Sequence, residues 1–472
     1  MNDKNKFIPT ANDEHLIRLS RLKRILIFIC FFVIYLLNCS EEGIVSASSN
    51  QIKEELNIND KLFGLYGSIV HIGRIINIIF VFILLDLCNR KYLIFLALIS
   101  KCSTYCIYLI TTDYLIIMIF RLIQGFSQIF PEIYFQKWIA QFGPQNSIKI
   151  ITIFINIPNL LGPVLGFNTA LFLLDYKYSF ILLAFSILLF DFILLFFPDK
   201  FFSPKIFFYE TIKQKHDGRE SVYSLFKVDE GKMKEKQKEK EVFLVSSTLW
   251  NLLLKPDFVT IVLAKNAFQF SIMGTYYWIG DYLQNVLGQD GKVVKASIYA
   301  FISLVGTLSG GLFGIIIDYY YCDYITTVPS LICFGFSILA GICGVLIPMT
   351  SDIMIFSTEL FLFFFFGYCM IPILINITKV CADGELERDY IHFNNLTKAI
   401  FGDLPAPAIY GFINDIYKKT NPKMAMTCNL NFIWVNIILI VMNIYFRIRK
   451  TELIKEDVGT ELKYVEMDKY DK

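Results

Sequence analysis

The chain has 472 residues, 55% of them hydrophobic and 16% aromatic, with a mean hydropathy of +0.53 and a formal net charge of +2. Soluble domains do not carry that much apolar surface, whereas polytopic membrane proteins do. The balanced charge selects no partner, and the basic residues are scattered or alternate with acids instead of forming a stripe, so nothing points to nucleic acid.

A membrane crossing needs about 20 apolar residues. The first 23 residues are polar and charged and read as a cytosolic tail, so the long run that follows is a membrane helix and not a cleaved signal. Apolar runs then fall near 24–47, 62–86, 92–112, 114–136, 148–174 and 178–197, and again near 256–284, 296–318, 327–349, 354–380, 393–415 and 426–447. These are spans 1 to 12 of an all-α integral membrane protein built as two six-helix halves. The expected division is a cytosolic tail over 1–23, a first half over 24–198, a charged cytosolic linker over 199–249, a second half over 250–450 and a cytosolic tail over 451–472. The linker carries Lys232, Lys234, Glu235, Lys236, Lys238, Glu239, Lys240 and Glu241 with no apolar face, which predicts solvated helix or disorder. Lysine and arginine placement sets the orientation: Lys4, Lys6, Arg18, Arg21, Lys23 and Arg24 before span 1, Arg90 and Lys91 after span 2, and Arg447, Arg449 and Lys450 after span 12 put both tails in the cytosol.

Ionisable residues inside the runs carry the functional argument, because a charge at the centre of a membrane helix costs roughly 2.5–3.5 kcal/mol on insertion scales. Glu41 and Glu42 stand in the far half of span 1, flanked by Asn38 and Ser46; either they face a protein interior or the helix ends before them and they are wet. Arg121 lies roughly 10 Å into span 4 at 1.5 Å per residue, and Glu41 comes from the opposite side to a similar depth, so an ion pair between them is geometrically open. Arg121, Gly125, Gln128 and Glu132 are spaced 4, 3 and 4 and share one face of span 4. Arg121 either holds an anionic headgroup and a glutamate in turn, or forms a permanent bridge between spans 1 and 4. Arg74, with Gly67 and His71 on its side of span 2, is read as facing a cavity. Lys265 and Gln269 form the polar stripe of span 7, with Lys265 open either to an anion or to an internal salt bridge. Lys101 in span 3 and Asp191 in span 6 are read as packing or interfacial groups.

Loop motifs and helix breakers are candidates for conformational change. Asp86, Arg90 and Lys91 follow span 2, and Asp318 closes span 8; an acid there can face the positive N-terminus of a helix from the other half, span 11 for Asp86 and span 5 for Asp318. Pro158, Gly162, Pro163 and Gly166 in span 5, and Gly402, Asp403, Pro405, Pro407 and Gly411 in span 11, are expected to bend or break their helices for rocking, or to pack helices closely. Leu360 to Phe366 in span 10 reads as lipid-facing. Cys30, Cys102, Cys106, Cys333, Cys343 and Cys369 lie in apolar runs and read as small buried hydrophobes. The sequence holds no nucleophile–base constellation, phosphate loop or metal-ligand cluster, which favours a carrier over an enzyme, without cofactor or metal.

Twelve spans, a long middle loop and paired loop motifs resemble the major facilitator superfamily, with Arg121-x-x-x-Gly125 in span 4 and Pro158-x-x-x-Gly162-Pro163-x-x-Gly166 in span 5 as supporting patterns. Phe82 stands where a glycine is usual in the first loop motif. Within the superfamily the chain is similar to the Spinster-like transporters through Asp86-x-x-Asn89-Arg90-Lys91, Gly274-x-x-x-Trp278-x-x-Asp281 and Gly402-Asp403-Leu404-Pro405-Ala406-Pro407-x-x-x-Gly411-x-x-x-Asp415. Sugar-porter signatures are missing after span 6. The resemblance implies transport of a lysophospholipid or sphingoid lipid, coupled to protons, by a monomer. It assigns the span-1 acid to Glu41 and the span-4 arginine to Arg121. Glu42 stands where arginine is common and Gln128 where a second acid is expected; Glu132, one turn on, is positioned to replace it. A carrier of small organic anions or metabolites, and a non-transporting receptor or scaffold, remain as alternatives. Tyr464-Val465-Glu466-Met467 matches a tyrosine-based sorting pattern, so an endolysosomal or plasma membrane location is expected.

Overall fold

The structure, a computed structural model, describes residues 11–142, 148–173, 175–202, 253–324, 326–381 and 393–450. The charged linker beyond Phe202 and the tail with Tyr464 lie outside the described residues, as do the side chains of Phe82 and Asp86. All regular structure in the described residues is helical. The elements are α1 (Ala11–Ala47), α2 (Ser49–Glu55), α3 (Asp60–Leu87), α4 (Arg90–Ile110), α5 (Tyr114–Phe142), α6 (Ile148–Phe172), α7 (Tyr176–Leu195), α8 (Pro256–Asn285), α9 (Lys292–Ala300), α10 (Thr307–Tyr321), α11 (Val328–Leu346), α12 (Ile353–Cys381), α13 (Pro405–Tyr417) and α14 (Met424–Asn431). A π turn, Phe301–Gly306, joins α9 to α10, and another, Lys398–Asp403, precedes α13. Ten helical stretches are long and apolar enough to cross a membrane, and the last of them runs from Met424 to Lys450. The shorter apolar stretch Ile157–Phe172 and the Lys398–Tyr417 segment occupy the positions of spans 5 and 11, which completes the twelve.

The chain forms two compact units. The first contains α1 up to Ile44, the end of α3 from Ile79, and α4 to α7; the second contains Val45–Ile78 and α8 to α14. Helix starts follow local chemistry. Asn89 caps α4 by accepting from the Lys91 amide at 3.1 Å, Asp175 caps α7 through the Lys177 amide at 2.9 Å, and Pro256 opens α8 where its missing donor is harmless.

Within the first unit α6 lies directly on α1. A Cβ added at Gly166 would meet the Ser40 carbonyl, one at Gly43 would meet the Pro163 carbonyl, and one at Gly162 would meet Cys39. Only glycine permits that approach, so these residues pack α1 immediately beside Glu41. In the second unit α3 and α13 meet the same way, through Gly64 against the Pro407 carbonyl and Gly411 against the Asp60 carbonyl.

Several expectations are corrected. α6 stays helical through Pro158 and Pro163, so span 5 does not break. Span 11 instead widens: the Pro405 ring excludes a normal turn before it, and the Leu404 amide reaches back five residues to the Ala399 carbonyl at 2.9 Å. The aromatic block of span 10 is not uniformly lipid-facing, since Leu360, Phe363 and Phe364 are fully buried. Cys106 is exposed, unlike Cys30, Cys102, Cys333, Cys343 and Cys369.

Candidate functional site

The first unit buries a three-helix ion network around Glu41, which is 3% exposed. Arg121 from α5 pairs its Nη1 with Glu41 Oε1. Lys101 from α4 places its Nζ 3.5 Å from Glu41 Oε2, and the Tyr105 hydroxyl donates to that same oxygen at 3.1 Å. Lys101 also donates to the Asn38 carbonyl at 3.4 Å, and Arg121 Nη1 reaches Gln124 Oε1 at 3.4 Å. Tyr105 is fixed by stacking on Phe180, which also stacks on Tyr108, at ring separations of 5.4 and 4.8 Å. Lys101 is completely buried and belongs to this cluster, which corrects its reading as a packing or interfacial group. Its position near the middle of its run, too far from either end for its amine to reach the interface, is the signal that could have found it. One carboxylate faces two cations, so the cluster carries a net positive charge when all three are ionised.

The rest of the span-4 face is less tightly bound. Gln128 is buried; Glu132 is half-buried and accepts from the Tyr35 hydroxyl at 3.2 Å, while Tyr35 also donates to Asn159 of α6 at 2.8 Å. Glu42 is half-buried and lies on another side of α1 from Glu41. At the loop motif, Arg90 Nε donates to the Leu85 carbonyl at 3.2 Å, and Lys91 reaches the Phe197 carbonyl at 2.7 Å and Asp199 at 3.2 Å.

The second unit holds the other candidates. Arg74 is half-buried and His71 is buried on α3. On α8, Gln269 donates to Asp403 Oδ1 at 2.8 Å, and Lys398 lies 4.0 Å from the other Asp403 oxygen. Lys265, one turn before Gln269, is buried, and among the described residues it has no ion pair. Asp318 accepts from the Tyr324 hydroxyl and from the Asn376 amide, the latter at 2.8 Å.

A second buried ion cluster was not singled out from the sequence. Lys53 of α2 bridges Asp60 at 2.7 Å and Asp281 at 2.5 Å. Asp60 also receives Lys418 at 2.9 Å and the Asn414 amide at 3.2 Å, and Asp281 receives the Asn285 amide at 2.8 Å. Burial alone would lower the Lys53 ammonium, but Asp281 and Asp60 together hold it above its ordinary value. Lys53 sits between predicted runs, where charged residues look solvated; only Asp281, as part of the span-7 motif, carried a signal.

A bacterial homologue of the human lysosomal transporter Spinster matches the fold with a TM-score of 0.63 at 13% identity, over 90% of this chain and 96% of its own. A nucleoside transporter matches at 0.60 and 15% identity, over 90% of this chain and 98% of its own. A D-xylose–proton symporter matches at 0.59 and 15%, over 90% and 97%. No curated protein sequence matches significantly. A sequence profile of the Major Facilitator Superfamily matches residues 27–384. That match covers most of the chain and accords with the helical, membrane-spanning fold: this multi-pass integral membrane protein belongs to the Major Facilitator Superfamily.

Proposed function

We propose that the chain is a proton-coupled secondary transporter that moves an amphipathic anion, a lysophospholipid or a sphingoid phosphate, by alternating access of its two six-helix halves, 24–198 and 250–450, about the 199–249 linker. The observation that supports it is the Glu41 cluster, in which one buried carboxylate is shared by Arg121 and Lys101. Buried charges in membrane helices face protein and mark substrate and proton pathways. While Glu41 is ionised it holds Arg121; a proton on Glu41 weakens that hold and frees the guanidinium for an anionic headgroup. Proton and anion then bind together. The lipid class rests on the Spinster-like motifs of spans 2, 7 and 11, in particular Gly402 to Asp415. A second reading is a carrier of a small organic anion or metabolite, and the xylose and nucleoside transporters of like fold favour its metabolite form. We place both tails in the cytosol from the lysine and arginine pattern, in an endolysosomal or plasma membrane, with the monomer as the working unit.

Reconstituted protein should take up one member of a lysolipid and sphingoid panel faster under a pH gradient. Glu41→Gln should abolish the gradient effect and Arg121→Ala the uptake. If both variants transport like the parent, the site is wrong; if only sugars or nucleosides are carried, the lipid assignment is.

A further inference from the structure

Seven lysine and arginine side chains are buried among the described residues: Lys53, Lys91, Lys101, Arg121, Lys265, Lys295 and Arg447. Six have a defined polar partner. Lys53, Lys91, Lys101 and Arg121 pair with carboxylates. Lys295 donates to the Gln284 amide oxygen at 3.2 Å, and Arg447 donates to the Tyr324 and Thr326 carbonyls at 2.7 and 2.8 Å. Lys265 alone has none, although it is 7% exposed. The next residue, Asn266, is fully buried, and neither atom of its side-chain amide has a hydrogen-bond partner. Two adjacent positions on α8 thus present donors that the surrounding protein leaves unsatisfied, which is rare for buried polar groups and rarer for a charge.

The surroundings explain why no counter-ion among the described residues reaches Lys265. The carboxylate on the facing π turn, Asp403, is taken by the Gln269 amide at 2.8 Å, one turn along α8, and has Lys398 4.0 Å from its second oxygen. Gly402 sits against the Gln269 side chain and leaves no room there for a larger residue. α12 contributes Tyr368, stacked edge-on against Phe268, and the last span contributes Asn436, whose amide donates to the Ala264 carbonyl at 2.7 Å. A lone ammonium in low dielectric is stabilised by an anion that arrives from outside the chain.

We propose that Lys265, with Asn266 beside it, is a second anion-binding position for the transported molecule, in addition to Arg121, and takes its phosphate or carboxylate. This rests on the transporter reading above and gives the substrate a charge requirement located in the second unit, separate from the Glu41 cluster of the first.

The test is equilibrium binding to the purified full-length protein in detergent, with oleoyl lysophosphatidic acid as the anionic probe and monooleoylglycerol as an uncharged probe with the same chain. Lys265→Met should weaken the anionic probe by about tenfold or more, the value of a charge-assisted hydrogen bond, and leave the uncharged one within about twofold. Lys265→Arg should keep anionic binding within about threefold, because it keeps the charge. Inorganic phosphate that competes at millimolar concentration assigns the site to a free anion; failure to compete, with binding retained, assigns it to the lipid headgroup. The proposal is overturned if the parent binds neither anion, if Lys265→Met binds lysophosphatidic acid like the parent, or if it loses both probes equally. It is also overturned if Asp403→Asn reproduces the Lys265→Met pattern, which would make the lysine an internal partner of Asp403. Anionic binding that persists in a protein unable to move any probe across a liposome would keep this site and remove the transporter reading.

Discussion

The two buried ion clusters differ in one respect that decides what each can do. Around Glu41, among the described residues, one carboxylate is shared by two cations, Arg121 and Lys101. Around Lys53, two carboxylates, Asp60 and Asp281, meet Lys53 and Lys418, and the group is neutral. A balanced cluster gains nothing from a ligand and loses heavily if one member is removed. One carboxylate shared by two cations loosens its hold on both when it takes a proton. The Lys53 cluster therefore reads as a clasp that ties α2, α3, α8 and α13 within the second unit, and the Glu41 cluster is the one proposed above as the proton and anion site.

Removing the shared cation of the clasp should have the largest effect on stability. Lys53→Met leaves Asp281 with only the Asn285 amide and brings two buried carboxylates together without their bridge. We predict a loss of about 3–5 kcal/mol, read as a lower thermal unfolding midpoint in detergent. At the proposed site Glu41→Gln leaves both cations facing a neutral amide that still accepts hydrogen bonds. The expected loss is smaller, about 2–3 kcal/mol, and gradient-driven uptake should lose its dependence on pH. Smaller again is Lys101→Met, because Glu41 keeps Arg121 and Tyr105 and the 3.5 Å contact is the longest of the three. A loss of about 1 kcal/mol is expected, with weaker anion binding at an unchanged folded yield. A Lys101→Met effect on stability as large as that of Lys53→Met would erase the distinction between clasp and site.

Much of this was legible from the chain, and the gaps have physical causes. Apolar runs located the spans because a bilayer demands length and composition and little else. Counting depth placed Glu41 and Arg121 at one level, and their ion pair is present. Lys101 stands in plain view in its run, but the sequence does not say which face of span 3 points inward, so a packing or interfacial reading leaves it out of the site. The clasp was hidden for the opposite reason: Lys53 and Asp60 lie at the edges of apolar runs, where charge is normally wet, and only tertiary packing buries them. Spacing by four found the Lys265 and Gln269 stripe, but which of the two would take Asp403 depends on the register of the π turn. Proline positions misled in a similar way. Pro158 and Pro163 are absorbed within α6, whereas Pro405 opens a wider turn, and both carry the same residue type in an apolar run.

The pH response separates the clusters with the smallest signal. Asp281 and Asp60 hold the Lys53 ammonium above its ordinary value. A cation raised in this way contributes stability that is fully present below its unfolded-state value, near 10.4, and is lost only as pH rises through the higher folded-state one. Between pH 5.5 and 8.5 Lys53 therefore keeps its charge, and the stability gap between the parent and Lys53→Met should change by less than about 0.5 kcal/mol. If Glu41 takes up a proton in the cycle, the gap between the parent and Glu41→Gln has to narrow toward acid pH, since the parent then approaches the neutral variant. Paired unfolding curves at the two pH values measure both gaps, and a clasp gap that moved as much as the Glu41 gap would show that charge balance does not distinguish the two clusters.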